Sequence, residues 1–77
     1  MEWIDVTNRL PDFDKKVLVY YEIKSSKNDE VFKYIDIASI ESIQTFANNK
    51  FVNWVNDEHD SVRPTHWMLL PNYPNIN

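Results

Sequence analysis

The sequence predicts a small, mainly β domain: a curled antiparallel sheet of about four strands with long loops. It leaves room for one short helical turn, and a β-rich α+β arrangement stays open. Three observations carry this reading. Four runs, at 17–23, 31–40, 51–55 and 65–70, are dense in β-branched and aromatic residues, which pack well on a pleated surface. Polar stretches rich in Asn, Asp and Ser separate them, as turns require. Only Ile37, Ile40, Ile43 and Ala47 are spaced like a helix face.

Trp3, Ile4 and Val6 open the chain, and Leu10-Pro11-Asp12 reads as a turn. The opening segment is too short for an independent element, so it is expected to lie on the sheet as an edge. The run at 17–23 is the clearest strand, with Val17, Val19, Tyr21 and Ile23 on one face. Residues 24–30 are polar throughout and read as a hairpin loop. In the returning strand Phe32, Tyr34 and Ala38 share one face, and Val31, Ile35 and Ile37 the other. The strand is expected to run to about Ile40, with a loop or one to two helical turns through Phe46.

Asn48-Asn49 reads as a two-residue turn. The third strand sets Val52 and Trp54 against Phe51 and Val55, and residues 56–63 read as an acidic loop. Pro64 and Pro71 bracket the last strand, Thr65-His66-Trp67-Met68-Leu69-Leu70, because proline fits poorly inside a sheet. Trp67 and Leu69 would face one side, and His66, Met68 and Leu70 the other. Trp67 is expected in the core and Trp3 beside the last strand.

Seventy-seven residues make one domain, 1–77. Cysteine is absent, which excludes disulfides, thiolate metal sites and a cysteine nucleophile. Glycine is absent too, so Gly-rich phosphate loops and nucleophile elbows are missing, and left-handed turn positions fall to Asn or Asp. Three Trp, four Tyr and four Phe supply the burial that a short chain needs. The net charge of −4 disfavours direct binding to nucleic acid or an anionic membrane, and leaves open binding to a basic protein surface. The first residues, Met1-Glu2-Trp3-Ile4-Asp5, show no basic region followed by an apolar stretch, so a cytoplasmic location is expected.

Trp3-Ile4-x-Val6 is followed by Arg9-Leu10-Pro11 and then Val17-Leu18-Val19; near the other end stands Thr65-His66-Trp67-Met68-x-Leu70-Pro71. In these motifs the chain resembles the domain-of-unknown-function 551 family of small phage, prophage and bacterial proteins. Leu69 stands where the family pattern has proline, and the Pro-rich end survives as Pro74. The resemblance runs from Trp3 to Pro74. It implies one compact domain, an origin in a phage or mobile element and hence a bacterial host cell. It supplies no reaction, cofactor or catalytic residue. The motif residues Trp3, Ile4, Leu10, Pro11, Thr65, His66, Trp67, Met68, Leu70 and Pro71 are read as mainly structural.

Two clusters could carry chemistry. Asp57-Glu58-His59-Asp60 offers metal-ligand types, but four consecutive side chains in an extended loop point apart, so no metal site is expected. His66, with Thr65 or Asp36, could act as a general base; no diagnostic spacing supports it, and a structural histidine is the expectation. No catalytic, cofactor or metal residue is assigned. The aromatic surplus points instead to protein binding, with Tyr20, Tyr21, Tyr34, Trp54 and Tyr73 as the candidate surface. The expected function is that of a non-enzymatic phage or prophage accessory protein, an inhibitor of a host defence or nucleic-acid-binding protein being one form. A self-associating structural module, with a homodimer as its simplest case, and a small metal- or ligand-binding enzyme are the alternatives.

Overall fold

A computed structural model describes residues 2–74. Six strands form one antiparallel sheet: β1 (Ile4–Asp5), β2 (Val17–Lys24), β3 (Val31–Phe46), β4 (Asn49–Asn56), β5 (Ser61–Val62) and β6 (His66–Met68). Their spatial order is β1-β6-β2-β3-β4-β5. The mainly β expectation holds. The strand count rises from about four to six, because two segments too short to show a pattern, β1 and β5, pair along the sheet's edges.

The connection from β5 to β6 shapes the whole sheet. These strands stand four positions apart in the order, yet only residues 63–65 join them. In a flat sheet four spacings would separate them by about 19 Å. The four chain steps from Val62 to His66 reach only about 14 Å. The sheet therefore curls, and its concave face becomes the core. Val17, Val19, Ala38, Ile40, Trp54, Val62 and Trp67 are buried there. Pro64, in the link, is buried too.

The N-terminal segment closes this core, with Ile4, Val6 and Leu10 packed against it. Ile4 pairs with Trp67 across β1 and β6. The Trp67 indole N–H donates to the Arg9 carbonyl at 2.8 Å, and the Arg9 guanidinium lies 5.7 Å from the ring centroid. Trp67 is 4% exposed and Trp3 sits beside β6, as the sequence led us to expect. The last strand is shorter than its bracketing prolines suggested: it covers three residues, and Leu69 is exposed.

β3 is the spine. Its 16 residues match the 49 Å long axis of the molecule, since a strand that long extends to about 50 Å. β2 pairs with its first half and β4 with its second, meeting at Ala38. This offset lets both hairpins project. It also explains a radius of gyration of 14.3 Å, where a compact chain of this length has about 11.5 Å.

No helix forms among the described residues; the region read as a loop or helical turns is the second half of β3. The misleading signal has a physical cause. Ile40 lies opposite Trp54 and Ser42 opposite Asn53, which leaves Glu41 as a bulge. A bulge shifts the alternation by one residue, so Ile40 and Ile43 face the same side although three positions apart. The tight turn also moves by one residue: Ala47 and Asn48 are its centre, with φ of 51° and 66°, and Asn49 begins β4. Asp14, Asp29 and His59 are the other left-handed residues among those described. In a glycine-free chain Asn and Asp take three of these five positions.

Two outcomes follow from this architecture. Trp67→Ala should cost about 3–5 kcal/mol in urea unfolding, the range for deleting a buried aromatic; an unchanged midpoint would place the core elsewhere. Ala47 holds a left-handed conformation that disfavours a Cβ and suits Asn. Ala47→Asn should therefore raise the melting temperature by several degrees, each kcal/mol being worth about 4–8 °C at this size. A lowered melting temperature would contradict the turn geometry.

Candidate functional site

The seven buried core residues all sit on the concave side, and alternation sends their neighbours to the convex side. There Leu18 lies between Met68 and Ile37, and Tyr20 between His66 and Ile35. A one-layer antiparallel sheet normally turns polar residues to water on its second face. Across β6, β2 and the first half of β3 this outer face is largely apolar, with Ile35 65% exposed. Across the second half of β3 and onto β4 it is mixed, with Ser39, Ser42, Gln44 and Asn53 beside Val55, Phe51 and Phe46.

Tyr20 is the centre of the apolar patch. Its ring lies 6.2 Å from Trp3, tilted at 57°, and 6.2 Å from His66, edge on at 64°. Its hydroxyl donates to the Glu22 carboxylate, and that bond, more than burial, raises the phenol pKa. Thr65 Oγ1 is 2.8 Å from His66 Nδ1, and Asp5 Oδ2 is 3.9 Å from His66 Nε2. Hydroxyl, imidazole and carboxylate thus fall in the order of a nucleophilic triad. The 3.9 Å gap is too long for the hydrogen bond that would orient the imidazole. Asp36, the carboxylate that the sequence offered to His66, is on the concave face.

That concave face holds a second cluster. Tyr21 and Tyr34 stack at 5.3 Å with an interplanar angle of 19°. Asp36 Oδ2 accepts from Asn56 Nδ2 at 3.3 Å and lies 3.5 Å from the Tyr21 hydroxyl, while Asp36 Oδ1 accepts the Ile37 N–H at 2.8 Å. Burial first, then Asp36, raises the Tyr21 pKa. A cleft of about 490 Å³ opens beside this cluster, between the end of β2 and the β5–β6 link, with Lys24 and Arg63 among its lining residues.

The five residues of the candidate surface do not form one surface. Tyr20 lies on the convex face and Tyr21 and Tyr34 on the concave one. Trp54 is 3% exposed in the core, so it is corrected to a structural residue; cross-strand pairing with Ile40 and Val62 holds it there. Tyr73 is 97% exposed beyond the sheet. Trp3, His66 and Met68, read as structural motif residues, join Tyr20 on the convex face with Leu18, Ile35 and Ile37. Their signal was present in the strand alternation, which set Ile35 and Ile37 opposite the core-facing residues.

The acidic stretch is a tight turn rather than an extended loop. Asn56 Oδ1 accepts from the Glu58 and Asp60 N–H groups at 3.0 and 2.9 Å, and His59 takes a left-handed φ of 65°. Asp57 pairs with Lys16 at 3.0 Å. Among the described residues no group of three or more His, Asp or Glu could hold a metal ion, and no helix is long and apolar enough to cross a membrane.

Asp5 gives the convex patch a pH dependence. The Thr7 N–H and hydroxyl both donate to its carboxylate, at 2.8 and 2.7 Å. The N–H bond first and the hydroxyl second hold the Asp5 pKa below its ordinary value. A depressed carboxyl contributes stability above that value and loses it as the pH falls through the lower folded-state pKa. Asp5→Asn should therefore flatten the fall in melting temperature between neutral and strongly acid pH. An unchanged acid limb would show that these bonds do not form in solution.

The family of proteins of unknown function designated DUF551 matches residues 2–75. No curated protein and no solved structure matches the chain. With the match covering nearly its whole length, the chain belongs to the DUF551 family.

Proposed function

We propose that this domain is a non-enzymatic binding protein that docks another protein on the convex face of β6, β2 and β3. The observation that carries the reading is the apolar patch centred on Tyr20, on the side of the sheet away from the core. Contiguous exposed apolar surface on a small domain marks an interaction site, and Trp and Tyr are the residues on which binding energy concentrates. The patch is rimmed by Asp5 and Glu22 on one side and by Lys33, opposite Glu22, on the other, while the whole chain carries −4. The net charge suits a partner with an apolar centre and a basic surface around it.

The setting we propose is that of a phage or prophage accessory protein acting inside its bacterial host. The partner is then a host protein with a basic surface, such as a defence or nucleic-acid-binding protein, and docking blocks that surface. Cytoplasmic location belongs to the same proposal. The three-residue array of Thr65, His66 and Asp5 is read as part of the docking rim, since its geometry does not orient a base.

The test is a native pull-down from bacterial host lysate, comparing the parent with a Trp3→Ala, Tyr20→Ala double variant. The parent should capture a discrete protein, and the variant should lose at least tenfold of it, since a truncated hot-spot residue costs about 2 kcal/mol or more. The melting profile of the variant confirms that it remains folded. Equal capture by both proteins, or none by the parent, would overturn the reading.

A further inference from the structure

The offset along β3 leaves part of the spine without a neighbour. β2 lies against residues 31–38 on one side, and on the other side β4 begins only at Ala38. Among the described residues, the outer edge of residues 31–37 is therefore free. The direction of their backbone groups follows from the neighbouring strand. The Tyr20 carbonyl accepts from the Thr65 N–H, so Tyr20 turns its backbone toward β6 and away from β3. Its partner Ile35 must then turn its own N–H and C=O away from β2. Alternation gives Val31 and Lys33 the same direction. Ile37 shares it, but its N–H is already taken by the Asp36 carboxylate, which ends the gap next to β4.

The side chains along this edge are apolar in the main. Val31, Phe32, Tyr34 and Ile35 are all exposed. Other unpaired stretches interleave single exposed apolar residues with polar ones: Ile23 between Glu22 and Lys24 on β2, and Ile43 and Phe46 around Gln44 and Thr45 on β3. An exposed apolar strand edge is a template for adding another strand, and main-chain hydrogen bonds supply the affinity of such additions.

We propose that the added strand is the same segment of a second copy, the two β3 strands running antiparallel about a twofold axis at Tyr34. The geometry selects this occupant and this register. The free edge is seven residues long and Tyr34 is its midpoint, so a second copy fills the gap from Val31 to the start of the β4 ladder. Twofold symmetry about an axis perpendicular to the sheet makes two β3 edges antiparallel and keeps concave face with concave face. Lys33 then stands opposite Ile35 of the second copy, and Ile35 opposite its Lys33. Those two pairs exchange four hydrogen bonds between outward N–H and C=O groups. An axis at Lys33 would set two ammonium groups against each other, which is destabilising. An axis at Ile35 would call on the Ile37 N–H that Asp36 already occupies and would run the incoming strand into β4.

The resulting dimer is one continuous sheet. It brings the two Tyr21–Tyr34 stacks together on its concave side and carries two Tyr20-centred patches on its convex side. Small domains with thin cores commonly gain stability by association, and seven buried core residues in an elongated molecule make a thin core.

The chain contains no cysteine, which makes cross-linking a clean test of register. Residues opposite each other without mutual hydrogen bonds have Cα atoms about 4.5 Å apart, within the range a disulfide spans. Tyr34→Cys should form a covalent dimer under mild oxidation. Phe32→Cys, as exposed as Tyr34 (46% and 42%) but opposite Asp36, should not. Sedimentation equilibrium of the unmodified chain should show a dimer. Ile35→Lys, which faces Lys33 of the second copy, should weaken it at least tenfold, while Ile35→Glu should retain it. Melting curves confirm that each variant is folded. A monomer at every concentration, equal cross-linking at positions 32 and 34, or dimers indifferent to Ile35→Lys would overturn the proposal. None of these results bears on partner capture through Trp3 and Tyr20, so the two readings fail separately.

Discussion

The shortness of the link between β5 and β6 governs this molecule. Three residues cannot bridge four strand spacings in a flat sheet, so the sheet must curl. Curling gives the two faces different fates. The concave one is narrow enough for Trp54, Trp67 and Ile40 to fill, with no second layer of structure among the described residues. Pro64 suits the link because its fixed φ limits the conformations available to the unfolded chain, and it is itself buried. The N-terminal segment completes the enclosure at Trp67, where a hydrogen bond to the Arg9 carbonyl satisfies the buried indole N–H.

The same economy leaves surfaces unmatched. One layer of sheet has two faces, and only one is covered by the chain itself. β3, twice as long as either partner, offers edges that neither β2 nor β4 reaches. The convex patch around Tyr20 and the free edge of residues 31–37 are thus products of one arrangement. They differ in the physics of contact. The patch presents side chains whose burial favours a complementary apolar surface. The edge presents backbone groups that only another extended strand can satisfy.

Much of this was legible from the residues. Period-two alternation placed Val17, Val19 and Tyr21 together, Ile35 with Ile37, and Val52 with Trp54, and the sheet keeps each grouping. Trp67 was placed correctly because a proline-bracketed aromatic run has few other ways to be buried; Trp3 lies beside the last strand as expected, but against Tyr20 on the convex face and 39% exposed rather than in the core. The helix-like spacing of Ile40 and Ile43 misled because a bulge at Glu41 imitates a helical offset, and nothing local distinguishes the two. The candidate surface was divided for a different reason. Aromatic content does not say which ring is enclosed: Trp54 faces Ile40 and Val62, whereas Tyr20 faces away from the core.

Composition and periodicity by themselves determined that the chain is mainly β and without cysteine or glycine chemistry, and which residues share a face along each strand. These are local properties, written in the order of neighbouring side chains. The tertiary structure alone decided which face is the inside, how far β3 outruns its partners and where β1 and β5 attach. Those outcomes depend on pairings between residues as distant as Ile4 and Trp67. A two-residue strand has no periodicity to read; its partner and the closure of the chain around it give it form.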